Sequence, residues 1–307
     1  MTEWLKWCIL YDGLPINGKD VFDMSILEGA FLGLIQGLAE FLPISSSGHL
    51  NLLQALFGVD LEHQLLFNLL LHVGSLAAVG IFFWKDWVDM LLHPIKNRTL
   101  FLLFMASLPA LAAKIIFGDA LDYFETHNTI LGVCFLITGV MLFLTQRFAK
   151  RNAETGREKQ QVTLKEALVM GCLQAVGMLP GVSRSGSTIF GGVSAKVDRS
   201  AAAKFSFMMS APAIVAGALS EGMDVLENGV SFGGDLPAII VGVIMAFIAG
   251  YVSIRFFMKL ISKVSLNGFA LYVTVLGVLV IILQLTGVLT DAPAAVQSLV
   301  RNMPFLG

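Results

Sequence analysis

Charge is what this chain of 307 residues has least of: Asp, Glu, Lys and Arg together make up 14% of it, against about 25% in soluble domains. Set beside a hydrophobic fraction of 56% and a mean hydropathy of +0.79, that shortage excludes a soluble globular fold. It leaves a polytopic membrane protein. A basic excess is missing too, because 20 Lys and Arg face 22 Asp and Glu for a net charge of -2, and no nucleic acid partner is expected. Cysteine is scarce: Cys8, Cys134 and Cys172 stand far apart in mostly apolar surroundings, which argues against a disulfide framework or a metal clip and leaves structural roles. The first residues, Met-Thr-Glu-Trp-Leu-Lys-Trp-Cys, lack the basic region, apolar core and small-residue cleavage site of a signal peptide. Insertion then falls to the first membrane segments themselves.

Residues 1–24 mix Trp4 and Trp7 with Asp12, Lys19, Asp20 and Asp23, a composition suited to headgroup depth, and read as an interfacial leader. From Ser25, a candidate N-cap, an apolar helix runs to Leu42 and stops at Pro43; a second short helix covers about His49 to Phe57. Neither arm reaches the ~20 apolar residues that a span needs. Six segments do: 65–84, 100–117, 129–146, 200–219, 236–254 and 268–286. A C-terminal tail, 287–307, follows them.

The distribution of Lys and Arg orients these spans, since basic residues flanking membrane helices stay in the cytoplasm. The segments 85–98, 147–165, 196–204 and 255–263 hold fifteen of the twenty basic residues. The opposing loops at 58–64, 118–128 and 220–235 hold none, and carry acids such as Asp60, Asp122, Glu125 and Glu227. This places 25–57 and 164–195 as re-entrant hairpins on opposite faces. Three spans follow each hairpin, and an odd number turns the second unit upside down. The expected fold is therefore all-α: six transmembrane helices plus two re-entrant helix-loop-helix hairpins, in inverted-topology repeats covering 25–146 and 164–286 of a single membrane domain, 1–307. Hairpin tips that meet near the midplane predict one central polar site, because non-helical backbone at that depth must be buried in protein or line a wet cavity.

A match between the hairpins supports the duplication. Offset by 138 residues, Glu28 falls on Glu166, Gly33 on Gly171, Gln36 on Gln174, Ser45 on Ser183, Ser47 on Ser185 and Gly48 on Gly186. The first tip reads Gln-Gly-Leu-Ala-Glu-Phe-Leu-Pro-Ile-Ser-Ser-Ser-Gly-His, 36–49, and the second Pro-Gly-Val-Ser-Arg-Ser-Gly-Ser-Thr, 180–188. Glu40 shares a helix face with Gln36. A carboxylate in an apolar helix costs about 2.5–3.5 kcal/mol at a helix centre and is functional by default, as a metal ligand or a base; a helix-end carboxylate touching solvent is the plain alternative. Ser45, Ser46, Ser47 and Gly48 form a hydroxyl-rich turn opening onto a helix, suited to an anion or simply to an N-cap. His49 alone reads as an interfacial histidine, and its neighbours make it a candidate acid or base. Arg184, between Ser183 and Ser185, needs a fixed anion: its planar fork matches phosphate oxygens, and a buried pair with Glu40 is the alternative. His72 with Asn68, and Ser206 with Ser210, read as interhelical hydrogen bonds. Lys114 reads as a snorkelling cation.

These two signatures resemble those of the undecaprenyl-diphosphatase family of bacterial membrane phosphatases, associated with bacitracin resistance, over roughly residues 25–286. The resemblance implies removal of the terminal phosphate of a C55 polyprenyl diphosphate, giving the monophosphate carrier of cell-wall synthesis. It implies a divalent cation, Mg2+ or Ca2+, in a multi-pass protein of the bacterial inner membrane with its site open to the outer face. Carried over by position, the functional residues are Glu40, Ser46, His49, Ser183, Arg184, Ser185 and Thr188, with Ser45 and Ser47 beside the substrate. Gln36 stands where many relatives have Glu; it cannot be a base, yet its carbonyl can bind a cation. The expected roles are Ser46 as nucleophile with His49 as its base or as the acid for the leaving group, Glu40 and Gln36 at the metal, and Arg184 with Ser183, Ser185 and Thr188 on the diphosphate; a water activated by Glu40 and the metal is the alternative nucleophile. The partners are the polyprenyl diphosphate and membrane lipids; a homodimer is compatible with the sequence. The rival reading is a secondary transporter or polyprenyl-lipid flippase, since inverted repeats with broken helices are a transporter design.

Overall fold

A computed structural model describes residues 24–57, 64–94, 96–156, 158–228 and 235–289. The leader expected at 1–24 lies outside them except for Met24, as does the tail from 290 onward. Among the described residues there are eleven helices: α1 (Ile26–Phe41), α2 (Ser46–Phe57), α3 (Gln64–Phe82), α4 (Trp84–Leu92), α5 (Arg98–Thr126), α6 (Leu131–Glu154), α7 (Leu164–Val176), α8 (Arg184–Ser194), α9 (Arg199–Asn228), α10 (Leu236–Leu260) and α11 (Asn267–Leu285).

Five of these, α5, α6, α9, α10 and α11, are long and apolar enough to cross a bilayer, and α3 with α4 forms a sixth candidate bent by 76°. Outward faces such as Ile240, Ile244, Ile248 and Val252 on α10 are about half exposed, a large apolar surface that water would not tolerate and lipid does. The protein is polytopic and all-helical. Several helices overrun the expected spans: α5 continues to Thr126 through a non-helical Phe117, and α9 to Asn228. The segments 118–128 and 220–235, expected as loops, are thus partly helical. The reason is that an apolar run reports hydrocarbon thickness, whereas helical hydrogen bonding continues wherever the backbone is not interrupted.

Local chemistry sets the hairpins. Ser25 accepts the N–H of Glu28 at 3.2 Å while Glu28 accepts that of Ser25 at 2.8 Å, a capping box that starts α1. At the matching position, Glu166 accepts the N–H of Thr163 at 3.1 Å and starts α7. The hydroxyl of Ser45 accepts the N–H of Gly48 at 3.3 Å, and that of Ser183 the N–H of Gly186 at 3.0 Å. The same bonds therefore recur 138 residues apart. Helix α2 begins at Ser46, earlier than the sequence suggests, because this Ser45 cap closes its first turn.

Packing crosses between the halves. Helix α1 lies along α10, and α7 along α5. A Cβ at Gly33 would meet the carbonyl oxygen of Gly242, and one at Gly171 that of Ala106, so both contacts depend on small residues that let backbones approach. Phe41, fully buried, meets Phe207 of α9 edge to face at 5.3 Å between ring centroids. This packing brings the end of α1 to the start of α8.

Candidate active site

The carboxylate of Glu40, in the last turn of α1, is buried and holds most of the site's polar groups. Oε1 accepts from Arg184 Nη2, the first residue of α8. Oε2 accepts from the Ser46 hydroxyl at 2.6 Å and from Gln36 Nε2 at 3.1 Å, and lies 3.4 Å from His72 Nε2. The Arg184 guanidinium on α8 and the His72 ring on α3 thus flank one carboxylate. An ionised pair at this depth persists only because hydrogen bonds satisfy its remaining lone pairs.

Arg184 is held from behind. Its Nη1 donates to the Ser206 carbonyl at 3.4 Å, and Thr188 accepts no role at the front: its hydroxyl donates to the Arg184 carbonyl at 2.8 Å and meets the Ser206 hydroxyl at 2.6 Å. Ser185 donates to the Leu42 carbonyl at 3.3 Å, tying one tip to the other, and lies 3.2 Å from the Ser183 hydroxyl. Thr138, in the middle of α6, anchors the second loop by donating to the Gly181 carbonyl at 2.8 Å and accepting the Ser183 N–H at 2.9 Å.

A cavity of about 270 Å³ opens between these tips. Glu40, Ser45, Ser46, Ser47, Ser183, Arg184 and Ser185 all line it, together with His72, Ser210 and the ion-paired Lys114 and Asp122. Of the residues named from the sequence, Gln36, Thr188 and His49 stand outside that lining. Gln36 reaches it through Glu40 alone.

His49 differs most from expectation. Its Nδ1 is 2.7 Å from the Ser45 carbonyl oxygen and its Nε2 is 2.7 Å from the Tyr272 hydroxyl of α11, with the ring stacked on Tyr272 and edge-on to Phe135. Both ring nitrogens are engaged away from Ser46, whose hydroxyl goes to Glu40. The structure does not bring His49 and the Ser46 hydroxyl together. The imidazole at the cavity is His72, one helical turn beyond Asn68 on an apolar helix; two polar residues on one face at that spacing were its only sequence signal. Thr138 and Tyr272 had none, being single polar groups in spans whose orientation tertiary packing decides.

What fold and geometry define is a polytopic membrane protein with a buried carboxylate, guanidinium and hydroxyl cluster at the junction of two helical hairpins. The family pattern of the bacitracin resistance protein BacA matches residues 29–279, and the chain belongs to that family. Among its relatives is undecaprenyl-diphosphatase 3 of Bacillus cereus, 36% identical over 266 residues that cover 86% of this chain and 100% of the relative. The undecaprenyl-diphosphatase of Halothermothrix orenii is 37% identical over 262 residues, 85% of this chain and 98% of its own. That of Methanosphaera stadtmanae is 33% identical over 282 residues, 85% and 99% respectively.

Proposed function

We propose that the chain is an undecaprenyl-diphosphatase: it hydrolyses a C55 polyprenyl diphosphate to the monophosphate carrier and inorganic phosphate, and thereby supports bacitracin resistance. The names of its relatives state this activity for them. The observation that carries the reading is the convergence of Arg184 and Ser46, one from each hairpin, on the carboxylate of Glu40 at a cavity rimmed by serine hydroxyls.

In this proposal Arg184 leaves Glu40 to clasp the diphosphate, aided by the hydroxyls of Ser183 and Ser185 and of Ser45 and Ser47 across the cavity. Thr188 keeps Arg184 in place from behind. Ser46 attacks the terminal phosphorus, its proton passing to Glu40 at 2.6 Å, so that a bond from Ser46 oxygen to phosphorus forms. The bridging phosphorus–oxygen bond breaks, and its electron pair leaves with the lipid monophosphate. Water then attacks the phosphoserine, releasing phosphate and restoring the hydroxyl. The guanidinium stabilises charge developing on the phosphoryl oxygens, the principal source of catalysis in such transfers.

A divalent cation, Mg2+ or Ca2+ by the family resemblance, fits at Glu40 and Gln36: Gln36 Oε1 is buried without a hydrogen-bond partner beside an ionised carboxylate. When bound there it would neutralise diphosphate oxygens.

For the scaffold we propose two inverted-topology repeats, 25–146 and 164–286, with α1–α2 and α7–α8 as re-entrant hairpins. The hydrogen bonds that recur 138 residues apart, and the crossed packing of α1 on α10 and α7 on α5, support it. The orientation we propose follows the basic residues and opens the site to the outer face of the inner membrane, where Asp122 and Glu125 line the cavity.

The test is phosphate release from polyprenyl diphosphate by purified protein in detergent, with and without chelator. Release that chelator suppresses is expected. Saturable lipid transfer without phosphate release would replace this reading with a lipid flippase.

A further inference from the structure

Lys114 and Asp122 line the cavity without a part in the reaction scheme. They stand eight residues apart on one helix, α5, a spacing that on a straight helix separates two Cα atoms by about 12 Å along the axis. The break at Phe117, with φ -120° and ψ 17°, bends the helix between them, and the Lys114 ammonium meets the Asp122 carboxylate in an ion pair. The bent end has a second attachment. Asn51 Nδ2 of α2 donates to the Glu125 carbonyl at 2.6 Å, which ties the residues beyond the break to the first hairpin.

The two ion pairs of the cavity differ in depth. The side chains of Arg184 and Glu40 are 17% and 4% exposed, those of Lys114 and Asp122 44% and 40%, so the first pair forms the floor and the second the mouth. Among the described residues that line the cavity, the basic side chains are Arg184, Lys114 and the His72 ring, and the acids are Glu40, Asp122 and Glu125. A diphosphate brings two adjacent ionised phosphoryl groups. With the terminal one at the floor, between Ser46 and Arg184, the inner one that carries the lipid points to the mouth. When the bridging phosphorus–oxygen bond breaks, its electron pair stays with that inner phosphoryl, and a cation there stabilises the leaving group. The planar fork of Arg184 serves one phosphoryl, and an ammonium binds phosphate as a point charge. A half-exposed pair such as Lys114 and Asp122 is weakly held, so the ammonium can exchange its carboxylate for a phosphoryl oxygen.

We propose that Lys114 is a substrate-binding residue that takes the inner, lipid-bearing phosphoryl of the diphosphate in exchange for Asp122, and so makes the site select diphosphates over monophosphates. The proposal rests on the phosphatase reading for its substrate class, and its test reads binding instead of turnover. An ion pair that only fastens the bent end of α5 is the competing role.

Two non-hydrolysable probes, bound to the purified full-length protein in detergent, separate these roles: farnesyl methylenediphosphonate, which carries both phosphoryl groups, and farnesylphosphonate, which carries one. Wild type should prefer the first. Lys114→Gln should weaken the diphosphonate at least ~10-fold and the monophosphonate less than ~3-fold, and Lys114→Arg, which restores the charge, should bind both within ~3-fold of wild type. Asp122→Asn should tighten the diphosphonate by ~2–5-fold, because a competitor for the ammonium is gone. Fastening cannot give opposite signs, since breaking the pair from either end would then act alike. No preference in the wild type, equal losses of both probes in Lys114→Gln, or weaker diphosphonate binding in Asp122→Asn overturns the proposal. If Lys114→Gln fails to fold by its melting curve, the wild-type and Asp122→Asn arms still decide. Diphosphonate selectivity without phosphate release from polyprenyl diphosphate would remove the phosphatase reading and leave this site standing.

Discussion

Ser46 and Arg184, which the offset of 138 residues makes counterparts, donate to opposite oxygens of the same carboxylate, that of Glu40. One position of the duplicated design has thus become a hydroxyl and its mate a fixed cation. In the proposed reaction a diphosphate entering between them would replace Glu40 as the partner of Arg184 while Ser46 keeps its acceptor.

Arg184→Lys keeps the charge and loses the planar fork. Turnover should drop at least ~10-fold, which corresponds to only about 1.4 kcal/mol of transition-state stabilisation. Near wild-type rates in a phosphate-release assay would make Arg184 a structural ion pair. Gln36→Ala should be milder than Glu40→Gln, because Glu40 holds both Arg184 and Ser46 while Gln36 touches Glu40 alone.

Ser46 and Ser47 both line the cavity, yet only Ser46 meets the carboxylate. Ser46→Ala should lose nearly all activity and Ser47→Ala much less, and rapid quench of the wild type should trap phosphoserine. Substantial turnover in Ser46→Ala, with no trapped intermediate, would instead assign the attack to water and leave Ser46 as a donor to phosphate.

The site was legible in the sequence where apolar surroundings made polar residues conspicuous. Glu40 and Arg184 stood out because a charge inside an apolar helix demands a partner, and the serine-glycine loops because they interrupt helices at depth. That the two would pair was visible only as an alternative to phosphate binding, since nothing local to either residue encodes a contact 144 residues away. From the sequence His72 reads as an interhelical hydrogen bond, whereas its Asn68 bond lies within its own helix. Long apolar runs located five spans as single helices and the sixth only as the bent pair α3–α4, and they did not give the lengths, because α5 and α9 continue past the apolar stretch.

The backbone approach of α1 to α10 has a direct consequence for stability. Gly33→Val places side-chain atoms where the Gly242 carbonyl stands, and overpacking of this kind costs about 1–3 kcal/mol. The melting temperature in detergent should fall by several degrees, and Gly171→Val, facing Ala106 in the equivalent contact, should fall comparably. An unchanged melting temperature for both would mean that the helices can separate without cost.

The role of His49 separates two chemistries that its position alone does not. Ser45 adopts φ 71°, the left-handed region that non-glycine residues enter only when their surroundings hold them there. The surroundings here are His49 Nδ1 on the Ser45 carbonyl and Tyr272 on His49 Nε2. This chain of contacts holds the turn that points Ser46 at Glu40. An asparagine side chain carries an amide nitrogen near the place of Nδ1, and a glutamine near that of Nε2. Neither exchanges a proton at neutral pH. If His49 acts by holding the turn, His49→Asn should retain turnover within ~5-fold of wild type, while His49→Gln and His49→Ala should fall at least ~10-fold. Tyr272→Phe, which deletes only the hydroxyl, should lower kcat a few-fold and leave KM unchanged. Equal and severe losses for Asn, Gln and Ala, with all three variants folded by their melting curves, would return His49 to the role of proton carrier.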